Sequence, residues 1–232
     1  MEDIAIVSGA SSGLGFEIAK KLIEQGTNVC ILSRDGNNLN NAYEKLINIS
    51  NAKIEKFIGN VSDEEFVAEI FDELSQKYRI KWLYNVAGIG MFFPPEETTK
   101  DIIESVFEAN LYGLILMSTA AIKHMKVHNE GNIINIMSSS AKVGRPNESI
   151  YCAAKWGARG YTESLIQWSK GTNIRVFAVY PGGMNTPFWD KIDGANQNVI
   201  NFMDPKEVAD QIVYSVTDKR TIKITDITID RV

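Results

Sequence analysis

Ile4-Ala5-Ile6-Val7-Ser8-Gly9-Ala10-Ser11-Ser12-Gly13-Leu14-Gly15 is the stretch that decides how this chain is read. An apolar run of strand character gives way to a turn rich in glycine and serine. Leu14 then opens a helical stripe continued by Ile18, Ala19, Leu22 and Ile23, and Gly26 stops it. A glycine-rich turn between a strand and a helix is a cradle for phosphate. Glycine lets the backbone approach a pyrophosphate, and the helix N-terminus offers free N–H groups and a positive dipole end. Gly9, Ser11, Ser12, Gly13, Leu14 and Gly15 are the residues expected to form it.

Outward from this turn, apolar runs of strand length alternate with segments of helical period. Strands are expected at Ile4–Ser8, Val29–Ser33, Ile54–Ile58, Leu83–Val86, Asn132–Met137 and Ile174–Tyr180. Helices are expected at Leu14–Gln25, Asn38–Ile49, Asp63–Tyr78, Lys100–Val127 and Tyr151–Trp168. That order predicts an α/β fold with a mainly parallel sheet and helices on both faces. Ile133-Ile134-Asn135-Ile136-Met137 is nearly continuous in apolar character, as a strand covered on both sides should be. No linker or repeat interrupts the pattern, so residues 1–232 are expected to form one domain. Pro181 to Asp204 breaks the rhythm with Gly182, Gly183, Pro187, Gly194 and interleaved aromatic residues. A substrate loop or lid over residues 182–204 is expected there.

Composition narrows the function. The net charge of −5 comes without a basic stripe, so no nucleic-acid partner is expected. Cys30 and Cys152 stand in different settings and read as reduced thiols of an intracellular protein. The start of the chain lacks a signal peptide's features. The longest apolar stretch, Gly113 to Ile122, is too short to span a bilayer, so a cytoplasmic location without a membrane partner is expected. His124 and His128 lie four apart on one helix, but no Glu or Cys set accompanies them. They read as surface histidines, and no metal is expected.

The candidate chemistry lies further along the chain, in Ser138, Tyr151 and Lys155. Residues four apart share a helix face, so Tyr151 and Lys155 are neighbours. A free phenol titrates near ~10, and a nearby ammonium lowers that value toward the working range of a proton donor. With a hydroxyl at Ser138, the set points to hydride transfer to or from a carbonyl.

These landmarks, in this order, resemble the short-chain dehydrogenase/reductase family over nearly the whole chain. The likeness runs from Ser8-Gly9-Ala10-Ser11-Ser12-Gly13-Leu14-Gly15 through Asn85-Val86-Ala87-Gly88 and Asn110. It continues through Ile134-Asn135-Ile136-Met137-Ser138, Tyr151 to Lys155, and Pro181-Gly182 with Thr186. Ser8 stands where Thr is usual, Asn60 where Asp is usual, and Tyr84 where a second Asn is frequent. The resemblance implies a single Rossmann-type doubly wound domain with a sheet of about seven strands. It also implies that Tyr151 is the proton donor, that Lys155 supports it and holds the nicotinamide ribose, and that Ser138 binds the substrate oxygen. Asn110 would hold a water beside Lys155. Family spacing selects Ser138 over its neighbours Ser139 and Ser140. Asn60 and Val61 would bracket the adenine, Asn85, Ala87 and Gly88 would line the path to the nicotinamide ribose, and Pro181, Gly182 and Thr186 would meet the nicotinamide.

Cofactor choice rests on the end of the second strand, where Ser33 stands at the position of the acid carried by NAD-preferring relatives. Arg34 follows, and a guanidinium can grip a 2′-phosphate through charge-assisted bonds. NADP(H) is therefore expected over NAD(H). The pocket walls are expected from Ile89, Met91, Phe92, Phe93, Val143, Phe188, Trp189, Ile192 and Phe202, which suits a small apolar or aromatic carbonyl compound or alcohol. Lys142 and Arg145 leave open an acyl thioester, a hydroxysteroid is a third substrate class, and a non-catalytic NADP-binding regulator is the rival of another kind. Leu114, Met117, Trp156 and Trp168 exceed one core stripe, so a homodimer through the Asn110 and Tyr151 helices is expected, with a tetramer as the alternative.

Overall fold

The computed structural model describes residues 1–192, 199–216, 222 and 224–232. Strand β1 (Glu2–Ser8) leads through the glycine turn into α1 (Gly13–Glu24), followed by β2 (Asn28–Ser33), α2 (Gly36–Leu46), β3 (Ile54–Ile58) and α3 (Glu64–Lys77). The chain returns to the middle of the sheet as β4 (Tyr78–Asn85), then runs through α4 (Lys100–Phe107) and α5 (Gly113–His128) to β5 (Gly131–Ile136). Helix α6 (Ser149–Trp168), β6 (Ile174–Pro181), α7 (Pro205–Val216) and β7 (Asp226–Ile229) complete it. The sheet order is β3-β2-β1-β4-β5-β6-β7, and every pairing is parallel.

Parallel strands need helical crossovers, and these cover both faces. Alternation along β1 divides the core. Ala5 and Val7 face α1, α2 and α7, packing on Leu22, Leu39 and Ile212. Ile4 and Ile6 face the other way, toward Phe71 of α3 and Met117 of α5. The strand order reverses between β1 and β4, opening a crevice at their carboxyl ends. Gly9, with φ of 69°, sits at this crevice, and a Cβ on it would lie 2.9 Å from the Ala87 backbone.

Two elements differ from expectation. Strand β4 begins at Tyr78, well before Leu83, because Arg79 and Lys81 interrupt its apolar run; both are paired with Asp3 and Glu130. The expected helix over Lys100–Val127 is divided by a wide π turn at Glu108–Tyr112. This helical run, Lys100 to His128, is long and apolar enough to cross a membrane by composition. Its Leu114, Met117, Ala121 and Met125 are buried in the core. That burial removes Leu114 and Met117 from the expected dimer surface, whereas Trp156 and Trp168 remain 48% and 41% exposed.

Candidate active site

A cavity of about 1190 Å³ opens at the carboxyl edge of the sheet. Its first wall is the turn itself. Gly9, Ser11, Ser12, Gly13, Leu14 and Gly15 all line it, and no side chain caps the first turn of α1. A Cβ on Gly15 would strike the Gly9 carbonyl, and one on Gly13 would lie 3.2 Å from the Thr186 side chain. The turn therefore leaves backbone N–H groups room to meet a phosphate-bearing group. Pro181, Gly182 and Thr186 stand opposite.

At the far end, the Ser33 hydroxyl donates to Ser11 Oγ at 3.0 Å, tying the end of β2 to the turn. Arg34 projects into solvent along the cavity edge and has no ion pair among the described residues. Asp35 is occupied as the cap of α2, accepting from the Asn38 backbone at 3.0 Å. Asn60 and Val61 line the same end, as do Ala87 and Gly88 nearer the middle.

The chemical end joins three elements. Ser138 follows β5, with its Oγ accepting the Ser140 N–H at 3.1 Å. Tyr151 and Lys155 lie one turn apart near the start of α6, both buried. The Tyr151 phenol and the Ser138 hydroxyl line the same wall of the cavity. Lys155 Nζ donates to the Ile136 carbonyl at 3.3 Å and stands 5.7 Å from the Tyr151 ring centre. Asn110 lies in the π turn, a device often found at functional sites. Its Nδ2 donates to the Val106 and Ile89 carbonyls at 2.9 and 2.8 Å, while its buried Oδ1 has no partner. A Cβ on Gly88 would lie 2.6 Å from that oxygen and 3.5 Å from Lys155 Nζ, so glycine keeps a gap between them open.

Electrostatics here correct the simple reading of the Tyr–Lys pair. Burial pushes the Tyr151 phenol well above its ordinary value, opposed by the nearby Ser138 hydroxyl. Burial also lowers Lys155, to about 8. Desolvation, which penalises whichever form is charged, is the largest cause at both groups.

Five expected site residues, Asn85, Met91, Phe93, Val143 and Ile192, lie off the cavity wall. Asn85 points beneath the site, where its Nδ2 donates to Ser118 Oγ at 3.0 Å and Asn135 Oδ1 at 2.9 Å. Asn135 in turn donates to Thr162 Oγ1 at 2.9 Å, so Asn85 braces β4, β5, α5 and α6. Met91 is half-buried off the cavity wall, and Val143 is 61% exposed. Lys142 turns away to Asp226 and Thr228, at 3.2 and 2.7 Å. His124 stacks on Phe71, with ring centres 5.7 Å apart, and no metal-ligand cluster occurs among the described residues.

Phe92, Phe188, Trp189 and Phe202 form an aromatic roof. Phe92 and Phe188 stand 5.4 and 6.1 Å from the Tyr151 ring, and Trp189 meets Phe202 at 5.2 Å. Trp189 Nε1 donates to the Met184 carbonyl at 2.9 Å. Residues 193–198 of the expected lid lie outside the described residues. Sequence reasoning missed Glu148 and the Asp230-Arg231-Val232 segment, all of which line the cavity. Glu148, three residues before Tyr151 on one helix face, was legible from spacing. The C-terminal segment reaches the cavity through β7, a tertiary placement without a local signal.

The chain is similar to known proteins. The family profile described as short chain dehydrogenase matches residues 3–197. A 3-oxoacyl-(acyl-carrier-protein) reductase of Thermotoga maritima is 27% identical over 224 residues, 93% of this chain and 91% of that one. A 3-ketodihydrosphingosine reductase of Bacteroides thetaiotaomicron is 30% identical over 215 residues, covering 92% of this chain and 74% of that one. Among solved structures, a short-chain dehydrogenase/reductase from Vibrio parahaemolyticus superposes with a TM-score of 0.83 at 28% identity, covering 98% of this chain and 100% of that one.

Proposed function

The chain belongs to the short-chain dehydrogenase family, an oxidoreductase acting on a carbonyl/alcohol pair with a nicotinamide cofactor, and from that premise we propose an NADP(H)-dependent reductase of apolar or aromatic ketones or aldehydes. The observation that carries the reading is the meeting of Ser138, Tyr151, Lys155 and Asn110 on one cavity wall beneath the aromatic roof. The cradle, Thr186 and Lys155 would hold the cofactor, which when bound supplies or takes up hydride. Tyr151 holds the proton at its phenol oxygen for delivery to the substrate oxygen, which Ser138 positions. Asn110 Oδ1 can accept from a water in the gap that Gly88 leaves, giving Lys155 a route to fresh protons. Arg34, solvent-facing and beside the Ser33 end of the cradle, supports NADP(H) over NAD(H).

A 3-oxoacyl thioester is the second reading, favoured by Arg145 on the cavity rim and by the Thermotoga relative. A binding module without catalysis has no use for all four chemical groups together. We further propose a cytoplasmic homodimer through α6 and the Lys100–His128 helices, supported by the exposed Tyr112, Trp156 and Trp168. The deciding experiment is oxidation of NADPH, with NADH in parallel, against diketones, quinones, aldehydes and a 3-oxoacyl thioester. Tight NADPH binding with no turnover of any of them refutes the catalytic reading. Faster turnover with NADH refutes the cofactor preference.

A further inference from the structure

We propose that Glu148 is a positioning residue for proton transfer at Tyr151, acting through Ser140 to hold the Ser138 hydroxyl against the phenol; this rests on reading Tyr151 as the acid. Glu148 stands at the N-cap position of α6 without capping it through its side chain, and it lines the same cavity. Its Oε2 accepts from the Ser140 hydroxyl at 2.8 Å. Ser140 is buried, and its N–H donates to Ser138 Oγ at 3.1 Å. Ser138 and Tyr151 line the same cavity wall. Hydrogen bonds thus run from the carboxylate through Ser140 to Ser138 Oγ, beside Tyr151 on the cavity wall.

Two effects follow from this placement. Geometrically, Ser140 is held at both its hydroxyl and its N–H, which fixes the short turn Ser139–Ala141 and the orientation of Ser138 before it. Misplacement of a catalytic group by a fraction of an ångström is enough to slow a reaction. Electrostatically, an anion three residues from Tyr151 on one helix face favours the protonated phenol, the form a reductase needs. The other charged or titratable groups facing this pair are Lys155 and Cys152 on α6 and Arg145 on the preceding loop. Arg145 draws on the Glu148 charge but donates its own hydrogen bond to Ser139 Oγ at 3.0 Å. Burial raises the Glu148 carboxyl above its ordinary value, against the Ser140 bond and Arg145. A charge kept where the fold opposes it is characteristic of a working site.

The test compares wild type, Glu148→Gln, Ser140→Ala, Tyr151→Phe and the remote control Glu163→Gln on whichever carbonyl the wild type reduces. Glu148→Gln should lower kcat about tenfold at unchanged NADPH affinity. It should also move the alkaline limb of reduction to lower pH by roughly half to one unit, since the anion that favours the phenol is gone. Ser140→Ala should lose kcat similarly but keep the limb in place, because the charge stays. Glu163→Gln should match wild type. Stability supplies the readout that a simple structural pin would not give. An acid whose folded pKa is raised destabilises the fold above that pKa and not below its unfolded value, 4.5. Glu148→Gln should therefore melt no lower than wild type at neutral pH, and any gain should vanish below pH ~4. Wild-type kcat and an unmoved limb in Glu148→Gln overturn the proposal, as does joint loss of kcat and melting temperature with Ser140→Ala unaffected. Full activity in Tyr151→Phe, or a wild type inert to every carbonyl, instead brings down the underlying reading and this proposal with it.

Discussion

At one end of the cavity the wall is backbone; at the other it is side chains. The cofactor end is shaped by positions where a Cβ cannot fit, Gly9 against Ala87 and Gly15 against the Gly9 carbonyl. The substrate end is shaped by Phe92, Phe188 and Trp189 packed edge to face over Tyr151. Backbone walls tolerate almost no substitution and present generic N–H groups suited to phosphate. Side-chain walls can be rebuilt residue by residue, so specificity for the carbonyl compound resides there. Tyr151, Ser138 and Lys155 lie on the border and belong to both.

The sharpest way to break this comparison is at the border. Tyr151→Phe removes one oxygen and leaves both walls intact, so kcat should fall ~10²–10⁴-fold while NADPH affinity holds. Near-normal turnover would reduce Tyr151 to another wall residue. Next in size is Gly15→Ala, which should weaken NADPH binding about a hundredfold or more and cost about 1–3 kcal/mol of stability, because backbone atoms cannot yield to the new methyl. Unchanged binding in calorimetry would mean that the cradle is not backbone-limited. Arg34→Ala tests the side-chain contact expected at the cofactor's 2′-phosphate. It should weaken NADPH by about 1.5–3 kcal/mol and leave NADH nearly unaffected. Equal effects on both cofactors would make Arg34 structural. The smallest effect belongs to the roof, where Phe188→Ala should raise KM about three- to tenfold for an aromatic ketone, at unchanged NADPH affinity. Hydrogen exchange sharpens the same point. Protection of Phe188 to Ile192 and of Val199 to Phe202 should increase only when cofactor and a slow substrate are both present, and equal protection with and without them would make the roof a fixed wall.

The same contrast explains what could be read from the amino acids alone. The cradle and the Tyr151–Lys155 pair are local patterns, a strand–turn–helix and a four-residue spacing, so both were legible. The sheet was legible for the same reason, since each crossover buries an apolar strand between helical stripes. Asn85 misled because its residue type fits a cofactor contact, while its direction is set by alternation along β4, which turns it toward Ser118 and Asn135. Met91 and Val143 sit in loops whose facing depends on what packs beneath them, and no periodicity encodes that. Asn110 was legible through the family resemblance, but the π turn that aims it left no mark in the residue types around it.

The amide ladder beneath the site has a consequence for folding. Asn85 and Asn135 are register partners in β4 and β5, and they reach Ser118 of α5 and Thr162 of α6. A slip of one residue between these strands would swing an amide to the opposite, apolar face. Buried there without a partner, it would cost about 1–3 kcal/mol, and the helices would lose their polar docking points. A misaligned β4–β5 pair is thus a poor docking surface for α5 and α6. Docking of α5 and α6, and with it the meeting of Asn110 and Tyr151, is therefore coupled to correct pairing of the central strands.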